Sequence, residues 1–464
     1  MQGMPVPALI GILVVLAVAS VAIAPRVRTV DGFFRGWSDT GAAPGVLTLT
    51  FSQVTTWIFA RSLLNAGILG YFFGIAGALA YTAYYGSFLT GWLIIDRLRF
   101  RYGVDNIQTF LHQRFGRTGT ACFNLLISMR LLTEVFANLL VVGIVFGVAG
   151  SSAYVWSILA VALVTLAYSM NGGLRASLRT DLWQMSLLIV LLAVLTGLML
   201  AHPLFDGAAL LISSPELASP GWILLLVALL QVLSYPMHDP VMMDRGFLAD
   251  RSTTRRSFLH AFWISALCIL AFGLLGVFAG LHRVGEEELI ATLDRLLGTP
   301  AMLVLGIALI LSAASTMDST FSSASKLAVL DMRLAGPSAR NGRLAMLLFC
   351  VGGLLLVFFG TDDLFAAVAV SGTASLFLTP VIVYCILAGR DVKPWCFFVT
   401  FLAAVGGSAL YFIETSGHIN LIGGLTGVEH SYAKLLVITL VILVIGFASF
   451  AAALKPRQEA SGDG

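Results

Sequence analysis

The sequence predicts an all-α polytopic membrane protein with about 13 transmembrane helices, and three observations support that fold class. Hydrophobic residues make up 58% of the 464 residues and charged residues only 11%, whereas a soluble domain usually has about 25% charged residues. The mean hydropathy is +0.94. Apolar segments of about 20 residues, the length that crosses a bilayer, follow one another along the chain. Little sequence is left for a soluble domain.

Short polar loops separate the predicted spans, and their basic residues are distributed unevenly. In chain order the spans are residues 7–24, 45–70, 72–96, 119–148, 154–170, 180–200, 221–243, 258–281, 300–330, 344–360, 363–388, 395–414 and 432–454. With the N-terminus outside, 21 of the 27 Lys and Arg residues fall in cytoplasmic loops and two in outer loops. This bias predicts an N-out, C-in orientation. The net charge of +3 reflects that orientation and does not indicate nucleic acid binding.

The first apolar segment has a second interpretation, as a cleaved signal peptide, because residues 7–24 end in Ala-Ile-Ala. No basic residue precedes it and the basic cluster follows it, which favours a retained helix. The five cysteines lie in or beside apolar spans without the spacing of metal ligands. We expect them to be packing residues.

The ninth predicted span carries a stripe of polar side chains where a lipid-facing helix would be wholly apolar. The spacing of three and four residues places these side chains on one helix face. Small oxygen ligands inside a membrane suit a desolvated Na⁺ ion, although hydroxyls also hold neighbouring helices together. The stripe consists of Ser312, Ser315, Thr316, Ser319, Ser322, Ser323 and Lys326.

Four separated motifs resemble those of the sodium:solute symporter family. They are NIQTFLHQRFG (106–116), NGGLRASLRTDLWQ (171–184), DPVMMDRGFLA (239–249) and the hydroxyl stripe that ends at Asp331. Members of this family resemble the leucine-transporter-type fold of two inverted five-helix repeats. The resemblance divides the chain into an extra N-terminal helix with a cytoplasmic loop (1–44), a first repeat (45–200), a second repeat (201–390) and two C-terminal helices with a short tail (391–464).

In such folds the first helix of each repeat is broken in mid-membrane, where free carbonyls bind cations. In the seventh span Pro236 and Pro240 remove helix hydrogen bonds and predict this break directly. The second span contains only the polar run 52–56, without Pro or Gly. Its break is implied by the resemblance.

The resemblance places the main sodium site between the second and ninth spans. Its ligands would be the backbone carbonyls of Phe51, Val54 and Ser312 and the hydroxyls of Ser315 and Thr316. Neutral oxygens suit a monovalent ion that must leave in each cycle. Some family members bind a second sodium ion at the position of Asp181, beside Thr180 and the same two hydroxyls. The alternative is that Asp181 caps the start of a helix.

Ionisable residues inside spans cost about 2.5–3.5 kcal/mol each on insertion scales, so they are candidates for solute binding. Arg61 departs from the family pattern, which is usually small or uncharged there. Arg61 or Arg130 could bind a carboxylate bidentately, but Arg130 could equally form a closed pair with Glu134. Asp239 could bind an amine or hydroxyl, exchange a proton, or only cap a helix. The full set of candidates is Gln53, Thr56, Arg61, Arg130, Glu134, Tyr235, His238 and Asp239.

Other residues are expected to complete the cavity and its cytoplasmic closure. Asp244 and Arg245 are gate candidates that could pair with the Arg97–Arg117 loop, although solvated charges are equally consistent with the sequence. Asp318 could support a sodium ligand or bond to a neighbouring helix. The aromatic residues expected to line the cavity are Trp57, Phe59, Tyr71, Tyr84 and Tyr235.

The resemblance implies a sodium-coupled symporter of the inner (plasma) membrane that imports a small polar solute by alternating access. The arginines favour a carboxylate, such as an organic acid, an amino acid or an acidic sugar. Two alternatives stay open: proton coupling through Asp239, Asp181 or Glu134, and a solute sensor that works with a partner kinase. The sequence has no HExxH, GxSxG or Walker A motif, so we expect no enzyme and no metal or cofactor besides Na⁺.

Overall fold

The computed structural model describes residues 6–360 and 371–456. Its helices are α1 (Val6–Ile23), α2 (Val30–Arg35), α3 (Val46–Trp57), α4 (Ala60–Ala83), α5 (Ser87–Ile95), α6 (Ile107–Phe146), α7 (Ser152–Gly172), α8 (Leu174–Leu200), α9 (Gly207–Leu211), α10 (Pro220–Gln231), α11 (Tyr235–His238), α12 (Pro240–Gly246), α13 (Arg251–Leu281), α14 (Leu289–Lys326), α15 (Ala339–Phe359), α16 (Gly372–Leu387), α17 (Trp395–Thr415), α18 (Leu421–Thr426) and α19 (Ser431–Ala452).

In the described part of the chain, nine helical stretches are long and apolar enough to cross a membrane, and three shorter apolar helices accompany them. One stretch, Ala60–Arg101, changes direction at Gly74, which has a φ of 60° that only glycine adopts easily. The second predicted span therefore ends at Gly74 and not at residue 70, because the turn needs this glycine. Part of the eleventh predicted span, residues 361–370, lies outside the described residues.

Two spans are interrupted near their middle. In the second span, α3 ends at Trp57 and α4 begins at Ala60, with Ile58 (φ −87°, ψ 61°) and Phe59 (φ −79°, ψ 161°) in non-helical conformations. In the seventh span, α11 and α12 are separated by the extended residue Asp239 (φ −105°, ψ 98°). The breaks that the prolines and the family resemblance implied are both present.

Helices α4 and α13 touch along their backbones. A Cβ atom on Gly70 would lie 2.2 Å from the Gly273 oxygen, and one on Gly276 would lie 2.0 Å from the Gly67 oxygen. Small residues allow this approach, which is the usual way for membrane helices to pack closely. The contact fixes α4, which contains the outer half of the broken second span, against α13.

The apolar side chains that remain exposed lie mainly on the outer helices. On α1, for example, Val14, Val15 and Val18 are 55%, 66% and 64% exposed. Since a soluble protein rarely exposes contiguous apolar surface of this size, this face is one that lipid would cover. Some of the buried polar side chains, such as Thr55, Ser315 and Thr316, lie beside the break of the second span.

Candidate functional site

The hydroxyl stripe of α14 faces the broken end of α3. The Ser312 hydroxyl donates to the backbone oxygen of Ile58, and the Thr316 hydroxyl donates to the backbone oxygen of Thr55 at 3.3 Å. The hydroxyls of Ser315 and Thr55 are 2.7 Å apart. All five residues are buried. The fold therefore brings three of the predicted main-site residues together at the break.

The oxygens at this position fit a small monovalent cation. They are hydroxyl and backbone oxygens in a buried place, which are the ligands a hard cation prefers. The predicted ligands Phe51 and Val54 lie in the last two turns of α3. The Val54 oxygen accepts the Ile58 amide at 2.9 Å, and because a carbonyl oxygen has two lone pairs, one remains for a cation.

Asp181 lies beside this group of oxygens and does not cap a helix. Helix α8 begins at Leu174, so Asp181 is in its interior, and the capping alternative is wrong. The carboxylate accepts hydrogen bonds from Ser52 at 2.6 Å and from Ser315 at 3.0 Å. Asp181 thereby connects α8 to both α3 and α14.

Arg245 is fully buried and belongs to the same network. Its guanidinium donates to Ser52 at 3.2 Å, to Ser319 at 2.8 Å, to Ser323 at 3.3 Å and to the Val241 oxygen at 3.1 Å. The expectation that it could be a solvated charge at the cytoplasmic end is wrong, because it turns inward from α12 to these oxygens.

Asp318 is the second buried carboxylate of the network. It accepts from Ser177 and from Thr180, each at 2.8 Å, and it is fully buried. Thr180, a predicted partner of Asp181 in a second sodium site, thus faces Asp318. In the sequence, Asp318 stands out as a carboxylate inside an apolar span, and such a carboxylate needs hydrogen-bond partners. The spacing of residues does not identify these partners.

A cavity of about 290 Å³ lies on the side of the breaks that the orientation predicts to be outside. Of the predicted solute candidates, Arg61, Arg130, Tyr235 and Asp239 line it. Its other lining residues are Trp57, Phe59, Ser62, Asn65, Ile68, Leu69, Tyr81, Tyr84, Tyr85, Ala137, Leu224, Gln231, Gly372, Tyr411, Tyr432 and Leu435. Tyrosine is the most frequent residue of this wall.

Several predicted candidates do not belong to the described lining. Gln53 lies against α13, where its side-chain nitrogen is 3.5 Å from the Ser257 hydroxyl, and the Thr56 hydroxyl donates to the Gln53 oxygen of its own helix at 3.0 Å. His238 is buried behind the ring of Tyr235. Tyr71 donates to the Glu287 backbone oxygen at 2.6 Å, away from the cavity.

Arg130 forms the internal pair that was the alternative to solute binding. Its Nη1 lies 2.7 Å from Glu134 Oε2, and its Nη2 lies 3.6 Å from Asp239 Oδ2. Glu134 therefore reaches the cavity only through Arg130. Asp239 also accepts the Met242 amide at 3.0 Å and so caps α12.

The opposite side of the break contains a much smaller cavity, of about 20 Å³. Its wall includes four polar residues that we call the cytoplasmic cluster: Asn106, Asp244, Lys326 and Asp331. Lys326 binds Asp244 at 2.7 Å and Asp331 at 3.0 Å, and Asn106 binds Asp331 at 3.1 Å. The predicted pairing of Asp244 with an arginine of the 97–117 loop is therefore replaced by a pairing with Lys326. Arg99 of that loop donates instead to the Gly246 backbone oxygen at 3.0 Å.

No protein-family model matches this sequence, and no curated protein sequence matches it. Solved structures do. A Na⁺-coupled sialic acid symporter in a substrate-bound outward-open state has a TM-score of 0.71 and 15% identity, over 97% of this chain and 98% of that chain. Mhp1, a nucleobase-cation-symport-1 family transporter in a closed conformation with bromovinylhydantoin bound, has a TM-score of 0.59 and 12% identity, over 93% and 94%. A manganese transporter from Eremococcus coleocola has a TM-score of 0.52 and 13% identity, over 88% and 93%.

At these identities the similarity shows the fold. It confirms the predicted all-helical membrane fold of the leucine-transporter type, and the three similar proteins are transporters and not enzymes. The chain is thus a multi-pass membrane protein whose helices are arranged as in cation-coupled secondary transporters.

Proposed function

We propose that the protein is a Na⁺-coupled symporter that imports a small polar solute bearing a carboxylate across the inner (plasma) membrane. The observation that carries this proposal is the convergence of the Ser312, Ser315 and Thr316 oxygens on the break of the second span. A cavity of solute size opens directly beside that break. The first similar structure is itself a Na⁺-coupled symporter, which supports sodium as the coupling ion.

The two repeats proposed from the sequence, 45–200 and 201–390, each begin with an interrupted span. A Na⁺ ion between α3 and α14 would hold the two repeats together in the arrangement that keeps the outer cavity open. Solute binding would then favour closure of the outer side and opening of the cytoplasmic cluster. A ligand can shift this equilibrium only as far as its affinities for the two states differ.

The guanidinium of Arg61 lines the cavity and is suited to bind a carboxylate in the bidentate manner. Arg130 is less suited, because Glu134 already occupies one of its two terminal nitrogens. A second sodium ion beside Asp181 is less well supported than the first, since Thr180 faces Asp318. Nothing in the similar structures supports the kinase partner considered above.

The test is the double variant Ser315→Ala with Thr316→Ala. We expect it to raise the Na⁺ concentration that half-saturates binding by about tenfold or more, which corresponds to about 1.4 kcal/mol of lost ligand energy. Binding is measured without solute, as the Na⁺-dependent rise in the unfolding temperature of the purified protein, with K⁺ as the reference ion.

The matched control is Thr320→Ala with Ser322→Ala. It removes one threonine and one serine hydroxyl from the same helix, but both of these donate to oxygens of α14 itself, Thr316 O and Asp318 O. Unchanged Na⁺ dependence in the Ser315/Thr316 variant would refute the site. Uptake in Na⁺-free buffer under a pH gradient would show proton coupling instead.

A further inference from the structure

The carboxylate of Asp239 is held at one oxygen and turned toward the cavity at the other. Its Oδ1 accepts the Met242 amide at 3.0 Å, which fixes the side chain at the start of α12. Its Oδ2 lies 3.6 Å from Arg130 Nη2, which is beyond hydrogen-bond distance. Asp239 is 2% exposed and lines the cavity. One oxygen of this carboxylate is therefore positioned to accept a donor from a bound solute.

The charges around Asp239 leave a place for a cation. Glu134 and Asp239 are two carboxylates that face one guanidinium, that of Arg130, and the nearer contact belongs to Glu134 at 2.7 Å. Because a buried charge is costly unless it is paired at hydrogen-bond distance, Asp239 is only partly compensated by Arg130, by the more distant charge of Arg245 and by the Met242 amide. A positive group of the solute at Asp239 Oδ2 would complete that compensation.

Aromatic rings surround the same end of the cavity. The centroid of the Tyr235 ring, four residues before Asp239, lies 5.4 Å from the Trp57 ring centroid and 5.8 Å from the Tyr84 ring centroid. Trp57 lies 5.7 Å from Tyr85 at an angle of 78°. All four of these residues line the cavity, and the face of an aromatic ring attracts an ammonium group. A carboxylate beside aromatic faces is an environment that selects alkylammonium groups.

The volume limits the solute to a small molecule. At about 290 Å³ the cavity is at the lower end of the range of roughly 300–1,000 Å³ that is typical of ligand sites. Arg61 contributes a guanidinium to the same wall. A solute with one negative and one positive group would match a cavity that carries both Arg61 and Asp239.

We propose that the solute is a small zwitterion of the amino acid type, whose ammonium group binds Asp239 Oδ2 beside Trp57 and Tyr235. This inference rests on the proposed function, because it takes the carboxylate of the solute from there and adds the ammonium group. Among the solute classes that the sequence left open, it selects amino acids over organic acids and acidic sugars.

The first experiment uses the wild-type full chain and sets of three matched compounds. Phenylalanine, 3-phenylpropionate and phenethylamine form one set, and proline, cyclopentanecarboxylate and pyrrolidine form another. The unfolding temperature of the purified protein is measured with each compound, with and without Na⁺. We expect Na⁺-dependent stabilisation by zwitterions and at least tenfold weaker binding of the compounds that lack the amine. Equal binding of the amine-free carboxylates, or no response to any zwitterion of a panel of the common amino acids, overturns the inference.

The second experiment changes the carboxylate itself. Asp239→Asn keeps the shape and the helix cap, because Asn caps as well as Asp, and we expect it to weaken zwitterion binding at least tenfold. The control is Asp250→Asn, which removes a charge from the cap of α13, where Asp250 accepts the Ser252 and Thr253 amides outside the cavity. Glu134→Gln is a second variant, which releases Arg130 to pair with Asp239 and should weaken zwitterion binding without altering Asp239.

Failure of this inference can be distinguished from failure of the proposed function. Na⁺ binding without solute is measured in the same variants, and we expect Asp239→Asn to leave it unchanged. Wild-type protein that shows no Na⁺-dependent stabilisation would contradict the proposed function. Intact Na⁺ binding together with full zwitterion affinity in Asp239→Asn would contradict the ammonium site alone.

Discussion

The buried guanidinium of Arg245 has contacts from which a stability change can be worked out. It is fully buried and gives four hydrogen bonds of 2.8–3.3 Å. It reaches the buried carboxylate of Asp181 through the Ser52 hydroxyl, and that of Asp318 through the hydroxyls of Ser319 and Ser177. No ion pair of Arg245 within 4 Å is present in the described residues, but its removal leaves buried carboxylates without a compensating charge, which costs about 3–5 kcal/mol. We expect Arg245→Met to lower the free energy of unfolding by this amount, although Met replaces most of the apolar stem.

A double-mutant cycle separates the charge effect from the packing effect. Asp181→Asn leaves one guanidinium facing one carboxylate, and we expect it to cost about 1 kcal/mol, mainly from weaker hydrogen bonds. In the variant that combines Asp181→Asn with Arg245→Met, one carboxylate is uncompensated and not two. The two changes should therefore cost about 1–3 kcal/mol less together than the sum of the single changes.

The free energies come from reversible unfolding of the purified protein in mixed micelles with increasing SDS, followed by tryptophan fluorescence. Arg35→Met is the matched control, because Arg35 forms an exposed pair with Asp31, and we expect its effect to stay within about 0.5 kcal/mol. Costs of the Arg245 and Asp181 changes that add within about 0.5 kcal/mol would show that the two residues are not coupled and would refute the predicted charge compensation.

Three further predictions concern the cytoplasmic side, the helix contact and the outer loop. Lys326→Met removes the cation between two carboxylates, so peptides of α12 should exchange hydrogen for deuterium severalfold faster, and unchanged exchange would show that the cluster does not close this side. Gly276→Val should strongly lower the unfolding temperature, because its Cβ would lie 2.0 Å from a backbone oxygen of α4, whereas Gly197→Ala, with nothing within 4 Å, should not. The Arg295 guanidinium, hydrogen-bonded to Glu287, lowers the pKa of that carboxyl from 4.5 to about 2. That contact stabilises the fold above pH 4.5 and is lost as the pH falls toward 2, so Glu287→Gln should reduce the loss of thermal stability over this range. An identical pH profile in the variant would contradict the last prediction.

The sequence predicted the features that depend only on residues close to one another in the chain. Apolar length predicted the membrane spans, the spacing of Ser312, Ser315 and Thr316 predicted a polar helix face, and Pro236 and Pro240 predicted the break of the seventh span. Each of these depends on residues within a few turns of one another.

The break of the second span has no such local cause. Three distant side chains satisfy the backbone groups that the break leaves free: Ser312 donates to Ile58, Tyr85 donates to the Trp57 oxygen at 2.8 Å, and Asn138 accepts the amide of residue 60 at 3.3 Å. Inside a membrane a free backbone group needs such a partner. Ser62, just after the break, also donates to the Trp57 oxygen at 2.9 Å, but the other partners come from distant parts of the chain. The pattern within residues 45–70 therefore does not reveal the break without the family resemblance.

The surroundings of the charged residues near span ends also depend on distant parts of the chain. Arg245 is six residues past the break and could reach water or the interior, and its acceptor Ser52 is 193 residues away in the chain. Lys326 bonds to Asp244 across 82 residues. Whether a charge is solvated or buried depends on which helices pack beside it, and the sequence of one helix does not contain that information.

Helix α14 contributes both to the proposed sodium site and to the cytoplasmic cluster. Because the two are far apart along the helix, a small rotation of α14 at one of them produces a larger displacement at the other. Ser312 and Lys326 are 14 residues apart, which corresponds to about 21 Å of helix. A pivot of about 5° at the sodium end would carry the Lys326 end through roughly 2 Å. Since Lys326 and Asp244 are 2.7 Å apart, that travel could take them beyond hydrogen-bond distance. A displacement too small to disturb the ion site could thus be enough to part the charges some four turns away.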